Sequence, residues 1–162
     1  MVIRDPATIG QRKEMNIRRL HRGDEKEAIS AVHELKPESE RQGHDASVEH
    51  MRRLLESVNN YLIVADINGS AAGFLIAHRV PRVDRDRFMI YLYEIGVAEA
   101  FQRQGIGRRM IELLKREASE DSVTNIWVGT EESNTAARRL YESTGGVPEP
   151  ELIIEFNYNM ES

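Results

Sequence analysis

The spacing of apolar residues switches from helical to strand-like partway along the chain. Asn16–Leu20 is read as a short opening strand of poor alternation. Behind Asp24, the residues Ala28, Ile29, Val32 and Leu35 recur at helical spacing and predict a helix over Glu25–Leu35. Pro37 ends it, and a polar stretch runs on through Gly43. Ser47 is placed to cap a second helix, with Val48, Met51, Leu54, Leu55 and Val58 on one face. The period then shortens. Tyr61–Ile67 is rich in β-branched residues, Asn68-Gly69 is a two-residue hairpin turn, and Ala71–Val80 returns as the partner.

After a charged loop over Pro81–Arg87, the segment Phe88–Ala98 reads as a long strand, apolar or aromatic apart from one glutamate and one glycine. A third long helix is predicted over Ile106–Ala118, with Ile106, Met110, Leu113, Leu114 and Ala118 inward. Thr124–Val128 reads as a buried-type strand, Asn134–Ser143 as a short helix closed by Gly145-Gly146, and Leu152–Tyr158 as a last strand. Two helices, a hairpin, then strand–helix–strand–helix–strand predict an α/β layer arrangement with a mixed sheet.

A chain of 162 residues without internal repeat or low-complexity tract fits one domain. The expected division is a polar N-terminal extension over 1–14 and a single domain over 15–162. The chain has no cysteine, which excludes disulfides, thiolate metal ligands and thiol nucleophiles. A net charge of −5 argues against broad nucleic-acid binding and favours a cationic substrate. No apolar run approaches the roughly 20 residues that span a bilayer, and the first residues lack a secretory pattern, so a cytoplasmic protein without membrane contact is expected. The histidines show no metal-ligand spacing, and no metal is expected.

Gln102-Arg103-Gln104-Gly105-Ile106-Gly107-Arg108 stands between the long strand and the helix after it. Glycines here let the backbone turn sharply and let an anion approach its N–H groups, where the helix dipole and Arg103 and Arg108 favour phosphate. The same glycines can also do no more than start a helix. The run is neither a dinucleotide fingerprint, since Met110 takes the place of a third glycine, nor a Walker loop, since no Gly-Lys-Ser/Thr follows.

This stretch resembles motif A of the GNAT superfamily of N-acetyltransferases, Gln/Arg-x-x-Gly-x-Gly/Ala, and Asn134-x-x-Ala137-x-x-x-Tyr141-x-x-x-Gly145 resembles its motif B. The order of elements over most of the chain agrees. Tyr91-Leu92-Tyr93-Glu94-Ile95-Gly96-Val97-Ala98, with Ile111 to Ala118 and the ending Glu155-Phe156-Asn157-Tyr158, is similar to the aminoglycoside 3-N-acetyltransferase (gentamicin acetyltransferase) group. The resemblance implies the GNAT acyl-CoA N-acyltransferase fold, of α/β (α+β) class: a mixed, mostly antiparallel sheet of six to seven strands flanked by about four helices. It also implies acetyl-CoA (coenzyme A) as co-substrate and an aminoglycoside amine, at the 3-amino group, as acceptor, with antibiotic resistance as the outcome. A homodimer is compatible with it.

Glu94 is the one side chain in its strand that is ordinarily charged at neutral pH, and a buried carboxyl holds a proton more readily, which suits a general base. It can equally hold a cation by charge alone, or form a structural ion pair with a nearby arginine. Gly96 marks a bulge or a close backbone approach, or simple packing. By the resemblance, Ile95 and Val97 belong to backbone that pairs with the pantetheine arm, with the Val97 N–H polarising the thioester carbonyl, and residues 102–108 hold the pyrophosphate. The resemblance likewise makes Tyr141 the proton donor to the coenzyme A sulfur and sets Asn134 against the pantetheine amide. Read alone, Tyr141 is a packed tyrosine and Asn134 a helix cap. Glu94, Glu131, Glu132, Asp84 and Asp86 are the carboxylates offered to a cationic acceptor, although charged loops are usually just solvated. A polyamine, small-molecule or peptide acceptor is the alternative with the same chemistry, and a non-catalytic coenzyme A-binding regulatory module the alternative without it.

Overall fold

The computed structural model describes residues 14–36, 38–41, 45–149, 156–158 and 160. Among them, five strands form one sheet in the order β1 (Met15–Arg19), β2 (Asn60–Ile67), β3 (Ser70–Pro81), β4 (Phe88–Val97), β5 (Val123–Trp127). The first four pair antiparallel and β5 joins β4 in parallel. The helices are α1 (Glu25–Leu35), the four-residue α2 (Glu38–Arg41), α3 (Val48–Glu56), α4 (Ile106–Glu120) and α5 (Thr135–Ser143), with a 3₁₀ turn over Glu99–Phe101.

Strand alternation divides the core in two. On β2, Tyr61, Ile63, Ala65 and Ile67 turn to a cluster built with Ile106, Met110 and Leu114 of α4. Leu62 and Val64 turn the other way, to Ala28 and Ala31 of α1 and Met51 and Leu55 of α3. Both faces of the central strands are therefore covered, which is why they read as nearly continuous apolar runs. The α1 face is narrower than the pattern predicts. Its buried apolar positions are Ala28 and Ala31, small enough for close packing, with Ile29 and Leu35 only partly buried. α3 buries Met51 and Leu55 and leaves Val48 exposed, and Val58, expected on the same face, lies beyond the end of the helix and is exposed too.

The turns behave as their residues dictate. Asn68 (φ 53°) and Gly69 (φ 86°) both adopt the left-handed backbone that a tight hairpin requires. Ser47 accepts the His50 N–H at 3.1 Å as the α3 cap. At the end of α5, Gly145 (φ 91°) donates to Glu142 O and Gly146 to Tyr141 O, the paired bonds of a Schellman stop.

Three expectations change. The described sheet has five strands rather than six to seven, because most of the closing strand expected over Leu152–Tyr158 lies outside the described residues; Phe156 to Tyr158 are described, are not in a strand, and leave Phe156 and Tyr158 exposed. Residues 1–13 of the expected extension also lie outside them. β5 is only partly covered in this structure, with Thr124, Asn125 and Trp127 exposed, because it lies at the edge of the described sheet. Five α-helices are described where about four are expected, the addition being the single turn of α2 in the polar stretch after Pro37.

Leu114, with no exposed surface, sits at the centre of the α4 cluster. Leu114→Ala is expected to cost about 2–5 kcal/mol in chemical denaturation, whereas Val83→Ala, fully exposed, stays within about 0.5 kcal/mol of the parent.

Candidate active site

The parallel ladder between β4 and β5 runs only from Phe88↔Val123 to Tyr91↔Trp127. Its last pair is closed by the Tyr91 and Trp127 rings, stacked with centroids 4.6 Å apart. Beyond it β4 continues to Val97 beside β3, while residues 128–131 are not in a strand. Antiparallel pairs alternate between those that exchange hydrogen bonds and those that do not. Ala98 N–H donates to Ala72 O at 2.9 Å, so in this register Gly96 bonds to Phe74 and Glu94 to Ile76. Ile95 and Val97 accordingly turn their backbone N–H and C=O groups toward the side that β5 has left. Gln102 fills part of that edge, its side-chain amide donating to Val97 O at 3.2 Å.

A bulge decides where Glu94 points. Ile76 pairs with Glu94 and Ala77 with Leu92, which leaves Tyr93 as the extra residue on β4. Without it Glu94 would share a face with Ile90 and Leu92 and enter the α4 cluster. The one-residue insertion moves Ile95 and Val97 onto that face and turns Glu94 to the α1 side. The bulge therefore falls at Tyr93 and not at Gly96. Gly96 is instead a close approach: a Cβ there would stand 3.1 Å from the Phe74 ring, and its carbonyl oxygen lies 2.9 Å from where a Gly73 Cβ would be.

Glu94 is not the isolated buried acid that its strand suggests. Its side chain is about one-third exposed, and Lys36 Nζ donates to Oε2 at 2.8 Å. Lys36 caps the end of α1, its N–H bonded to Val32 O, and its ammonium also lies 5.9 Å from the Phe74 ring centroid. The ion-pair alternative is thus realised, with a lysine 58 residues away in sequence rather than a nearby arginine. Sequence reasoning missed Lys36 because a lysine before a proline reads only as the end of a helix.

At the far end of the open edge, the chain turns through Arg103 (φ 60°) and Gly105 (φ 78°) into α4. Arg109 N–H to Gly105 O is the first helical bond, so the N–H groups of Ile106, Gly107 and Arg108 have no acceptor within the helix. Among the described residues no side chain caps them, and the first turn carries no acid. Gln104 instead bonds weakly to Ala100 O, at 3.5 Å. Gly105 has open space around it, as an anion-binding turn requires. Gly107 serves packing: a Cβ there would meet Leu140 of α5 at 3.1 Å, so its absence lets α5 approach α4 beside Val97. Arg103 is exposed, whereas Arg108 donates to Ser143 O at 3.1 Å and ties α4 to the end of α5.

On α5, Asn134 caps the helix by accepting the Ala137 N–H at 3.1 Å. Tyr141 is half-buried against the α4 cluster, and burial raises the pKa of its phenol above the ordinary tyrosine value. Glu131 and Glu132 are exposed on the β5–α5 connection, with Ser133 Oγ 3.5 Å from a Glu131 carboxylate oxygen. Asp84 and Asp86 are not brought to this edge. They sit in the loop before Phe88, which is itself six residues and roughly 20 Å of strand from Glu94. Asp84 is held by Arg82 and Arg85, which keep its carboxyl at a pKa of about 2. The structure thus groups Glu94, Ile95, Val97, residues 102–108 and α5, and leaves the two aspartates apart.

The sequence profile of the acetyltransferase (GNAT) family matches residues 28–146. Among curated proteins, [Ribosomal protein bS18]-alanine N-acetyltransferase of Escherichia coli (strain K12) is 38% identical over 78 residues, 48% of this chain and 49% of that protein. The same enzyme of Salmonella typhimurium is 43% identical over 54 residues, 33% of this chain and 36% of that one. The chain spans about half or less of the length of the curated relatives it matches. Among solved structures, an aminoglycoside acetyltransferase from an uncultured soil metagenomic sample, in complex with sisomicin, superposes with a TM-score of 0.79 at 23% identity, covering 91% of this chain and 97% of that one. A ribosomal-protein-alanine N-acetyltransferase from Brucella melitensis biovar Abortus 2308 gives 0.67 at 19%, covering 90% and 100%. At these identities the structural likeness establishes the fold.

Because burial favours the neutral phenol, Tyr141 is expected to keep its proton beyond pH 10.0. In a difference absorbance titration, the transition lost in Tyr141→Phe lies above that pH; a lost transition at or below it removes the effect.

Proposed function

The chain belongs to the acetyltransferase (GNAT) family, and on that premise we propose that it transfers the acetyl group of acetyl-CoA to an amine of an aminoglycoside. The observation that carries the transferase reading is the open edge of β4, with a carboxylate at one end and an uncapped helix N-terminus at the other. Acetyl-CoA supplies an acetyl group activated as a thioester. The N–H groups of Ile106, Gly107 and Arg108, with Arg103 beside them, are the donors suited to its pyrophosphate. The backbone of Ile95 and Val97 suits the amides of its pantetheine arm, and the Asn134 side-chain NH₂ remains available once its oxygen has capped α5. The Val97 N–H is the donor for the thioester carbonyl.

Glu94 accepts a proton from the acceptor amine, directly or through a water, and Tyr141 returns one to the departing sulfur. The half-buried phenol is still protonated at neutral pH, as a donor must be. Transfer is direct, without an acyl-enzyme. An aminoglycoside is favoured by the net charge of −5 and by the ledge of Tyr91, Tyr93 and Trp127 next to Glu94, of which Tyr93 is 63% and Trp127 44% exposed. Aromatic faces beside a carboxylate suit a polycationic sugar. The fold-level likeness to the sisomicin complex agrees with it. Acetylation removes an ammonium that such a drug uses on RNA phosphates, so resistance is the consequence. The second reading, a protein or peptide amine, is favoured by the sequence identity to the bS18-alanine enzymes.

Thiol release from acetyl-CoA with gentamicin, kanamycin, spermidine and an alanine-ended peptide separates these. Turnover of the aminoglycosides is expected; turnover of the peptide alone transfers the assignment to the second reading. Binding of coenzyme A without turnover of any amine identifies a regulatory module. Glu94→Gln is expected to slow turnover by about 10²- to 10⁴-fold at neutral pH, and an unchanged rate removes the base role. Tyr141→Phe is expected to lower turnover by a smaller factor with coenzyme A affinity retained.

A further inference from the structure

The Lys36–Glu94 pair has the arrangement of a nucleophile and its base: an amine within hydrogen-bond reach of a carboxylate, at 2.8 Å. If Glu94 deprotonates an acceptor amine, the amine already on it is that of Lys36. This group is also held in place. Its residue ends α1, its backbone N–H bonds to Val32 O at 2.9 Å, and its carbonyl accepts from Arg41 Nε at 3.1 Å. The side chain is only about one-quarter exposed. We propose that Lys36 is a self-acetylation site, the internal acceptor for the acetyl group this edge is built to transfer. The inference rests on the transferase reading above.

The chemistry balances with the groups named. Glu94 Oε2 takes one proton from the Lys36 ammonium, and the freed nitrogen lone pair forms a C–N bond with the thioester carbonyl carbon. The C–S bond breaks, and its electron pair leaves on sulfur. Of the two protons the ammonium sheds, one passes through Glu94 to solvent and the other balances protonation of the departing thiolate. The product is an Nζ-acetyl amide that no longer carries the charge Glu94 pairs with.

The chain contains four lysines, Lys13, Lys26, Lys36 and Lys115, which makes the test clean. Lys26 is exposed on α1, and Lys115 on α4 also meets a carboxylate, Glu112 at 3.4 Å, while donating at 2.9 Å to the Thr144 carbonyl at the end of α5. Both serve as internal controls. The full-length protein is incubated with acetyl-CoA and no acceptor, and followed by intact mass and peptide mapping. One acetyl group is expected on Lys36, at a rate independent of protein concentration and at least tenfold above that at Lys26 or Lys115. Glu94→Gln is expected to slow it by about 10²-fold or more, and Lys36→Arg, whose guanidinium keeps its charge, gains no such group. An unmodified Lys36, a rate no greater than at Lys26, or an unchanged rate in Glu94→Gln overturns the inference. Parallel turnover of gentamicin by the unmutated protein separates the two readings. Turnover with Lys36 unmodified overturns self-acetylation alone, and absence of self-acetylation together with absence of turnover of gentamicin, kanamycin, spermidine and the peptide overturns the transferase assignment with it.

Discussion

A parallel strand pair that stops before one of its strands does is the constraint on which this structure turns. β4 continues past Tyr91 while β5 ends at Trp127, so among the described residues the second half of β4 has a strand neighbour on one side only. Backbone N–H and C=O groups left without partners are costly wherever water is excluded. The N–H and C=O of Ile95 and the N–H of Val97, whose carbonyl Gln102 already engages, therefore form a ready edge for an extended, amide-bearing ligand. The α4 N-terminus stands at the end of this edge with its own first-turn N–H groups uncapped. One interruption in the sheet thus joins two sets of free donors, one suited to amides and carbonyls and the other to phosphate.

The bulge at Tyr93 supplies the rest. It turns Glu94 out of the α4 cluster, where an acid would be buried among Ile90, Leu92 and Met110, onto the α1 side, where it meets Lys36. A single inserted residue so converts a position costly for a charge into one that selects for an ammonium. Gly96 has a related task. With no side chain it accommodates the Phe74 ring, which in turn lies beneath the Lys36 ammonium.

Much of this is legible in the residues, because local rules decide it. Asn68-Gly69 fixes a hairpin, Gly145-Gly146 stops a helix, and the spacing of Ile106, Met110 and Leu114 marks the buried face of α4. The glycine turn before α4 can be placed by inspection for the same reason. What the sequence does not reveal depends on long-range register. Neither the bulge at Tyr93 nor the Lys36–Glu94 contact has a local signature, since the one arises only when β3 pairs with β4 and the other only when α1 also packs over β3. Arg108 and Gly107 illustrate a subtler limit. Their types suit a phosphate loop, yet one ties down the end of α5 and the other makes room for Leu140. Asp84 shows the converse, an acid whose neighbouring arginines hold it in its own loop.

Amide hydrogen exchange along β4, with and without coenzyme A, tests the open edge most directly. In the free protein the Ile95 and Val97 amides are expected to exchange faster than the Gly96 amide between them, which β3 protects. Coenzyme A is expected to slow Ile95, Val97 and the first-turn amides of α4 together. Equal protection of all three β4 residues before ligand is added, or no change at either set of amides after it, would contradict an open edge built to receive that molecule.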